Sequence, residues 1–167
     1  MNRLWMHKAG WMLKVALLAV LVFFALRKMY HHFVAPSFPH AGTAYLSMSG
    51  EKVELPGDRF VLVSFFQTWC RDCVSELPHI RNLLAKTGTG KLSVMMVSDE
   101  EIPKLEAFRS RWNVEVTIAR PGNQSLSDMG IRVFPTTYLL SPSGEVLMSK
   151  TEGYDWDNEE VIRMIKK

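Results

Sequence analysis

The chain has 167 residues, of which 47% are hydrophobic and 22% charged, with only two cysteines. That is enough apolar material for one domain of ordinary size with an appendage, and it excludes a disordered tail, a collagen-like fibre and a small scaffold stapled by several disulfides. The formal charge of +3 is local in origin: five of the twenty basic residues and none of the seventeen acidic ones lie in residues 1–28, so the remainder is slightly acidic and offers no basic face for nucleic acid.

Val15–Leu26 contains no polar residue, and extension back to Trp11 adds Lys14 as the one interruption. The stretch is short for a bilayer core, which wants about 20 apolar residues, so Lys14 must reach toward the headgroups. Trp5, Trp11 and Tyr30 flank it at interfacial positions. Arg27-Lys28-Met29-Tyr30 follows where a cleaved signal would place small residues. Residues 1–28 are therefore expected to be an uncleaved single-pass anchor, N-terminus inside, with the lipid bilayer as a partner. Residues 29–43, rich in proline and carrying His31, His32 and His40, read as a linker. A metal site on the three histidines is the alternative to a polar tether there. Residues 44–167 form the expected domain, placed on the outer, oxidising side of the cytoplasmic membrane.

In that domain, Ala44–Met48 and Lys52–Leu55 read as a small hairpin about Ser49-Gly50. Phe60–Phe66 is an apolar run of strand length, suited to a buried central strand. Cys73–Lys86 has helical periodicity, with Val74, Leu77, Ile80 and Leu84 on one face. Leu92–Val97 is a second buried strand. Pro103–Trp112 is a helix with Leu105, Phe108 and Trp112 inward. Val114–Ala119 reads as a strand and Ser125–Met129 as a short helix ended by Gly130. Thr137–Ser141 and Glu145–Ser149 form a hairpin, and a last helix opens at Asp157 with Glu160 as its capping partner. The alternation specifies an α/β sheet with helices on both faces.

Trp69-Cys70-Arg71-Asp72-Cys73 falls where the central strand gives way to a helix. A cysteine at a helix mouth meets unpaired N–H groups and the positive end of the dipole, which favour a thiolate. The second cysteine lies one turn in, within bonding reach of the first. An exposed nucleophile with a shielded resolving thiol is the minimum apparatus for thiol–disulfide exchange. Half of a zinc site and a static structural bridge are the alternatives. A zinc site lacks a second ligand pair downstream, and a bridge closing so small a loop would constrain the unfolded chain little.

These residues resemble the thioredoxin superfamily, and within it the membrane-anchored TlpA/ResA-like branch. The resemblance rests on FVLVSFFQTWC, the Cys-X-X-Cys, Pro78 inside the following helix, and Val133-Phe134-Pro135-Thr136-Thr137 before the final hairpin. It implies a thioredoxin-like fold: a central mixed sheet flanked by helices, an N-terminal hairpin and an extra βα unit near residues 98–122. It also implies Cys70 as attacking thiolate, Cys73 as resolving thiol, Trp69 covering the site and a cis bond before Pro135. Phe134, Val133 and Arg71 are implied as substrate contacts. Thioredoxins proper carry a buried aspartate at the position of Ser64, which this chain lacks. In the resembled branch a glutamate at the position of Glu76 takes the resolving cysteine's proton, the alternative being a solvated surface carboxylate. Asp72 and His79 are weaker candidates. Arg71-Asp72 departs from the branch, which has proline second in the pair, and Phe134 is bulkier than usual.

The expected activity is a thiol–disulfide oxidoreductase, a reductase of specific client disulfides supplied with electrons by a membrane partner. Apocytochrome c or copper-site proteins are the clients that the resemblance implies. No cofactor beyond the Cys70–Cys73 pair is expected. A copper metallochaperone and a disulfide-donating oxidase are the competing functions.

Overall fold

The computed structural model describes residue 12, residues 14–24, residue 26, residues 36–39 and residues 43–166. The chain divides into two compact units, Met1–Val34 and Ala35–Lys167. In the first, residues 14–24 are helical with exposed side chains. Among the described residues no helix is long and apolar enough to cross a membrane. Much of the anchor expected over residues 1–28, and His31, His32 and His40, lie outside the described residues.

The second unit is built on a seven-stranded mixed sheet. Its strands are β1 (Tyr45–Ser47), β2 (Lys52–Val53), β3 (Phe60–Phe65), β4 (Leu92–Val97), β5 (Thr117–Pro121), β6 (Thr136–Leu140) and β7 (Val146–Thr151). They lie in the order β2-β1-β5-β4-β3-β6-β7. The apolar runs β3, β4 and β5 are parallel neighbours at the centre, and β1, β6 and β7 add on antiparallel. Helix α1 (Arg71–Thr87) crosses from β3 to β4, α2 (Ile102–Trp112) from β4 to β5, and α3 (Glu159–Lys166) closes the chain. Residues 98–122 thus supply one βα-type unit, α2 followed by β5.

Strand alternation sorts the core into two sides. Leu62 and Phe66 point toward the helices, packing with Ile80 and Leu83 of α1, Leu105 and Phe108 of α2, and Val161 and Ile165 of α3. Val61, Val63 and Phe65 point the other way, against Phe38, Leu126 and Ile131. The helices expected on both faces are therefore corrected: the three helices of this unit share one face, and irregular chain covers the other. Phe38 makes that cover possible. Expected in the tether, it is buried edge-on to Tyr138, 5.1 Å between centroids, while Tyr138 Oη donates to Pro36 O at 2.7 Å.

Four local expectations shift for identifiable reasons. Val114 N donates to Arg109 O and Asn113 is left-handed, so residues 113–114 finish α2 and β5 begins only at Thr117. Residues 126–130 form hydrogen-bonded turns instead of a helix: Ser125 and Asp128 cap the turn reciprocally, but Gly130, left-handed at φ 81°, ends it before it can lengthen. Helix α3 is capped by Asn158, whose Oδ1 accepts from Glu160 N and Val161 N, while Asp157 is drawn away to α1. Helix α1 starts two residues early, and its buried stripe is Cys73, Glu76, Leu77, Ile80 and Leu83, with Val74 and Leu84 only half-buried.

Candidate active site

Strand β3 delivers the chain to the site through a loop held from the end of β4. Phe66 N donates to Val97 O at 2.9 Å. Beyond it, Thr68 gives both its N–H and its hydroxyl to Glu100, at 2.6 and 2.9 Å, and Gln67 Nε2 donates to Asp99 Oδ1 at 2.7 Å. Asp99 also accepts from Leu126 N at 2.9 Å. Two adjacent carboxylates thus fix the loop that carries Trp69 and Cys70.

Cys70 is the N-cap of α1, in extended backbone conformation, and its Sγ accepts from Cys73 N at 3.1 Å. Cys70 and Cys73 are joined in a disulfide, with Cα atoms 5.3 Å apart. Cys73 is 1% exposed and Cys70 6%. Both are buried, so the expectation of an exposed Cys70 beside a shielded Cys73 is corrected: Phe66, Leu77, Met96, Leu105 and Phe108 cluster with both cysteines, and Phe134 packs against the same cluster. Trp69 is 73% exposed, its ring edge-on to Phe134 with centroids 6.1 Å apart. Arg71 and Asp72 are exposed.

The Phe134–Pro135 peptide bond is cis. Phe65 pairs with Thr136, so Pro135 lies at the same sheet end as the cysteine loop. Pro135 O accepts from Glu152 N at 2.9 Å, and Val133 O accepts from Thr136 Oγ1 at 2.7 Å. Val133 and Phe134 are half-buried and Pro135 buried.

Glu76 is 1% exposed, so the surface-carboxylate alternative is overturned. Its Oε1 accepts from Tyr154 N and Trp156 Nε1, both at 3.0 Å, and its Oε2 accepts from Thr137 Oγ1 at 3.3 Å. Burial pushes the carboxyl up to about 7, against the pull of these hydrogen bonds. Thr137 stands opposite Ser64 in the β3–β6 register and is 2.9 Å from its hydroxyl. The position that holds an acid in thioredoxins proper therefore holds a hydroxyl here, linked through Thr137 to an acid on the helix.

His79, one turn after Glu76, is half-buried between two carboxylates. Nδ1 lies 2.7 Å from Asp157 Oδ1 and Nε2 lies 3.1 Å from Asp155 Oδ1. Sequence reasoning missed Asp99, Glu100, Thr137, Tyr154 and Trp156. Thr137 was within reach of a register argument, whereas the other contacts span roughly 30 to 80 positions and leave no local signature.

A parallel-centred sheet with Cys-X-X-Cys at a helix mouth and a cis-proline at the same sheet end is the arrangement of thioredoxin-like proteins. The chain belongs to the AhpC/TSA family, which it matches over residues 34–148, and is a TlpA/ResA-like member of the thioredoxin superfamily. It is 28% identical to the thiol-disulfide oxidoreductase ResA of Halalkalibacterium halodurans over 96% of this chain and 97% of that protein. It is 30% identical to the thioredoxin-like protein YneN of Bacillus subtilis over 60% of this chain and 62% of YneN. Among solved structures, a putative thiol:disulfide interchange protein DsbE from Chlorobium tepidum superposes with a TM-score of 0.62 at 25% identity, covering 79% of this chain and 92% of that one. StoA from Bacillus subtilis shares the fold at 18% identity, TM-score 0.59, over 79% of this chain and all of StoA. With its cysteines joined at the helix mouth, the chain is a protein thiol–disulfide oxidoreductase.

Proposed function

We propose that the chain is a membrane-tethered, extracytoplasmic reductase of specific client disulfides, recharged by a membrane dithiol donor. The observation that carries this reading is the buried Glu76 carboxylate one helical turn beyond the buried Cys73. In the reduced protein, Cys70 is the thiolate, favoured by the helix mouth and the Cys73 N–H. It attacks one sulfur of a client disulfide, forming a mixed disulfide and releasing the first client thiolate. Glu76 takes the proton of Cys73, for which an acid poised at about 7 is suited near neutral pH. The Cys73 thiolate then attacks Cys70, forming the intramolecular disulfide and releasing the second client thiolate. Two electrons pass to the client. Trp69 and the backbone at Phe134 and Pro135 form the docking edge, with Val133 and Arg71 beside it.

The tether is supported by the unbroken apolar run Val15–Leu26, and the outer placement by the excess of basic residues before that run. Clients of the kind the resemblance implies, apocytochrome c or copper-site assembly proteins, present vicinal cysteines that this cycle would reduce.

The test is a Cys73→Ser variant of the full chain expressed in membranes. It should accumulate a mixed disulfide through Cys70 with a discrete client, which mass spectrometry identifies. No trapped partner, combined with tight stoichiometric Cu(I) binding by the reduced protein, would replace exchange with metal delivery. A strongly oxidising potential of the pair would reverse the direction to disulfide donation.

A further inference from the structure

The two oxygens of the Glu76 carboxylate are not served alike. Oε1 holds two N–H donors at 3.0 Å, whereas Oε2 faces the Thr137 hydroxyl at 3.3 Å. That is long for a hydroxyl meeting an ionised carboxylate, which closes to about 2.5–2.7 Å. The same hydroxyl lies 2.9 Å from Ser64 Oγ and is the donor in both contacts. A threonine hydroxyl carries one proton and cannot give it to two acceptors at once. Thr137 and Ser64 are both buried, and they stand opposite each other in the β3–β6 register, which holds their hydroxyls together.

We infer that Thr137 is a positioning residue for the exchange reaction: its single hydroxyl proton turns to Ser64 while Glu76 is neutral and to Glu76 Oε2 when the carboxyl is charged. Its part in the reaction rests on Glu76 being the proton acceptor. The 2.9 and 3.3 Å pair is the arrangement of the neutral form, in keeping with a carboxyl that burial makes slow to ionise. Rotation about the Cβ–Oγ1 bond is enough to re-aim the proton, so no side chain has to repack. Ser64 is thus a competitor that weakens the hold of Thr137 on the charged carboxyl. Each turnover runs the pair both ways. Before resolution Thr137 donates to charged Glu76; once the Cys73 proton has arrived, the hydroxyl turns back to Ser64. The titratable groups around the carboxyl are Cys73, Asp72 and His79 on α1, and Glu152, Tyr154 and Asp155 on the far side of a half-open cleft of about 390 Å³. On the sheet side β3 and β6 bring Ser64 and Thr137, neither of which titrates.

The experiment is an infrared titration of the oxidised full-length protein in detergent, following the buried C=O band that Glu76→Gln abolishes. Thr137→Val removes the donor and should raise the Glu76 midpoint by about 0.5–1 pH unit. Ser64→Ala frees the same donor for Oε2 and should lower the midpoint by a similar amount. Thr137→Ser keeps a hydroxyl and should restore the parental value. General loosening of the core would move both deletions in one direction. A midpoint that stays or rises in Ser64→Ala, or stays in a folded Thr137→Val, therefore overturns the inference, and Ser64→Ala decides alone if the valine variant does not fold. Rapid mixing of the reduced protein with a small disulfide, reading release of the second thiol against pH, then tests Glu76 as the acceptor. The acid-side midpoint of that rate should follow the carboxyl, higher in Thr137→Val and lower in Ser64→Ala. Carboxyl midpoints that part as stated beside an unmoved rate profile would keep the shared proton and remove the acceptor role.

Discussion

Trp156 and Glu76 stand 80 residues apart in the chain and meet in the core, where the indole Nε1 donates to Oε1 at 3.0 Å. Trp156 is fully buried and edge-on to Tyr154, whose ring carries the Lys150 ammonium 4.7 Å from its centroid. The final segment thus reaches back across the sheet to set the electrostatics of the helix that bears the cysteines. Fold and chemistry are coupled at this one carboxylate: the residues that satisfy it also close the domain.

Trp156→Phe removes the indole donor while keeping an aromatic body. A hydrogen bond to a charged group is worth about 1.5–3 kcal/mol, or about one to two pH units of titration. Glu76 should then titrate above its present value of about 7. An infrared titration of the buried carboxyl C=O band in the oxidised protein reads this directly, and a midpoint left in place would show that the indole contact contributes nothing to the charged form.

Stability should depend on pH through the same group. The folded-state titration at about 7 stands above the ordinary 4.5, so the folded protein binds more protons between those values. The contribution of Glu76 to stability is fully present below about pH 4.5 and is lost as pH rises through about 7, a difference of about 3 kcal/mol. Glu76→Gln should flatten this slope and raise the urea midpoint above pH 7 relative to the parent. A parent whose midpoint rises across that window, with no change of slope in the variant, would contradict the assignment.

How much of this was readable from the chain itself follows from the range of each interaction. β3 and β4 were legible because a six-residue apolar run buried on both faces carries its signal locally. The cysteine pair and the hairpin β6–β7 were legible for the same reason, through spacing and turn residues, whereas the cis bond before Pro135 was implied by the resemblance alone. The burial of Glu76 was not, because a glutamate on a helix stripe looks solvated until Tyr154, Trp156 and Thr137 are brought to it from other elements. The helix-free second face of the sheet was equally hidden, since nothing in Pro36-Ser37-Phe38-Pro39 shows that Phe38 lies against Phe65 and Tyr138.

The cap of α3 is a small case of the same kind. Asp157 has the right residue type for a cap, but His79, Asn82 and Lys86 engage it, and the role passes to Asn158. Those partners also hold the Asp157 carboxyl below its ordinary range, with the His79 contact the largest cause. Asn158→Ala should cost about 1 kcal/mol in urea unfolding. Asp157→Asn should leave the helix cap intact, so amide exchange at Glu160 and Val161 should rise in the first variant and stay at its parental rate in the second.

Glu100 provides the last test, because it acts on the cysteine loop without lying in the motif. Its two oxygens receive the N–H and hydroxyl of Thr68, and Oε2 lies 3.5 Å from Ser98 Oγ. Removing the carboxylate in Glu100→Ala leaves a part-buried N–H without its acceptor, which costs about 1–3 kcal/mol. The loss should concentrate in the segment between Phe66 and Cys70, since Gln67 keeps its separate bond to Asp99. Hydrogen exchange at Thr68 should accelerate about tenfold for each 1.4 kcal/mol or so lost, while exchange in β4 and β6 moves only with global stability. Uniform acceleration over the whole sheet would mean that Glu100 supports the domain at large and has no particular hold on the loop that presents Cys70.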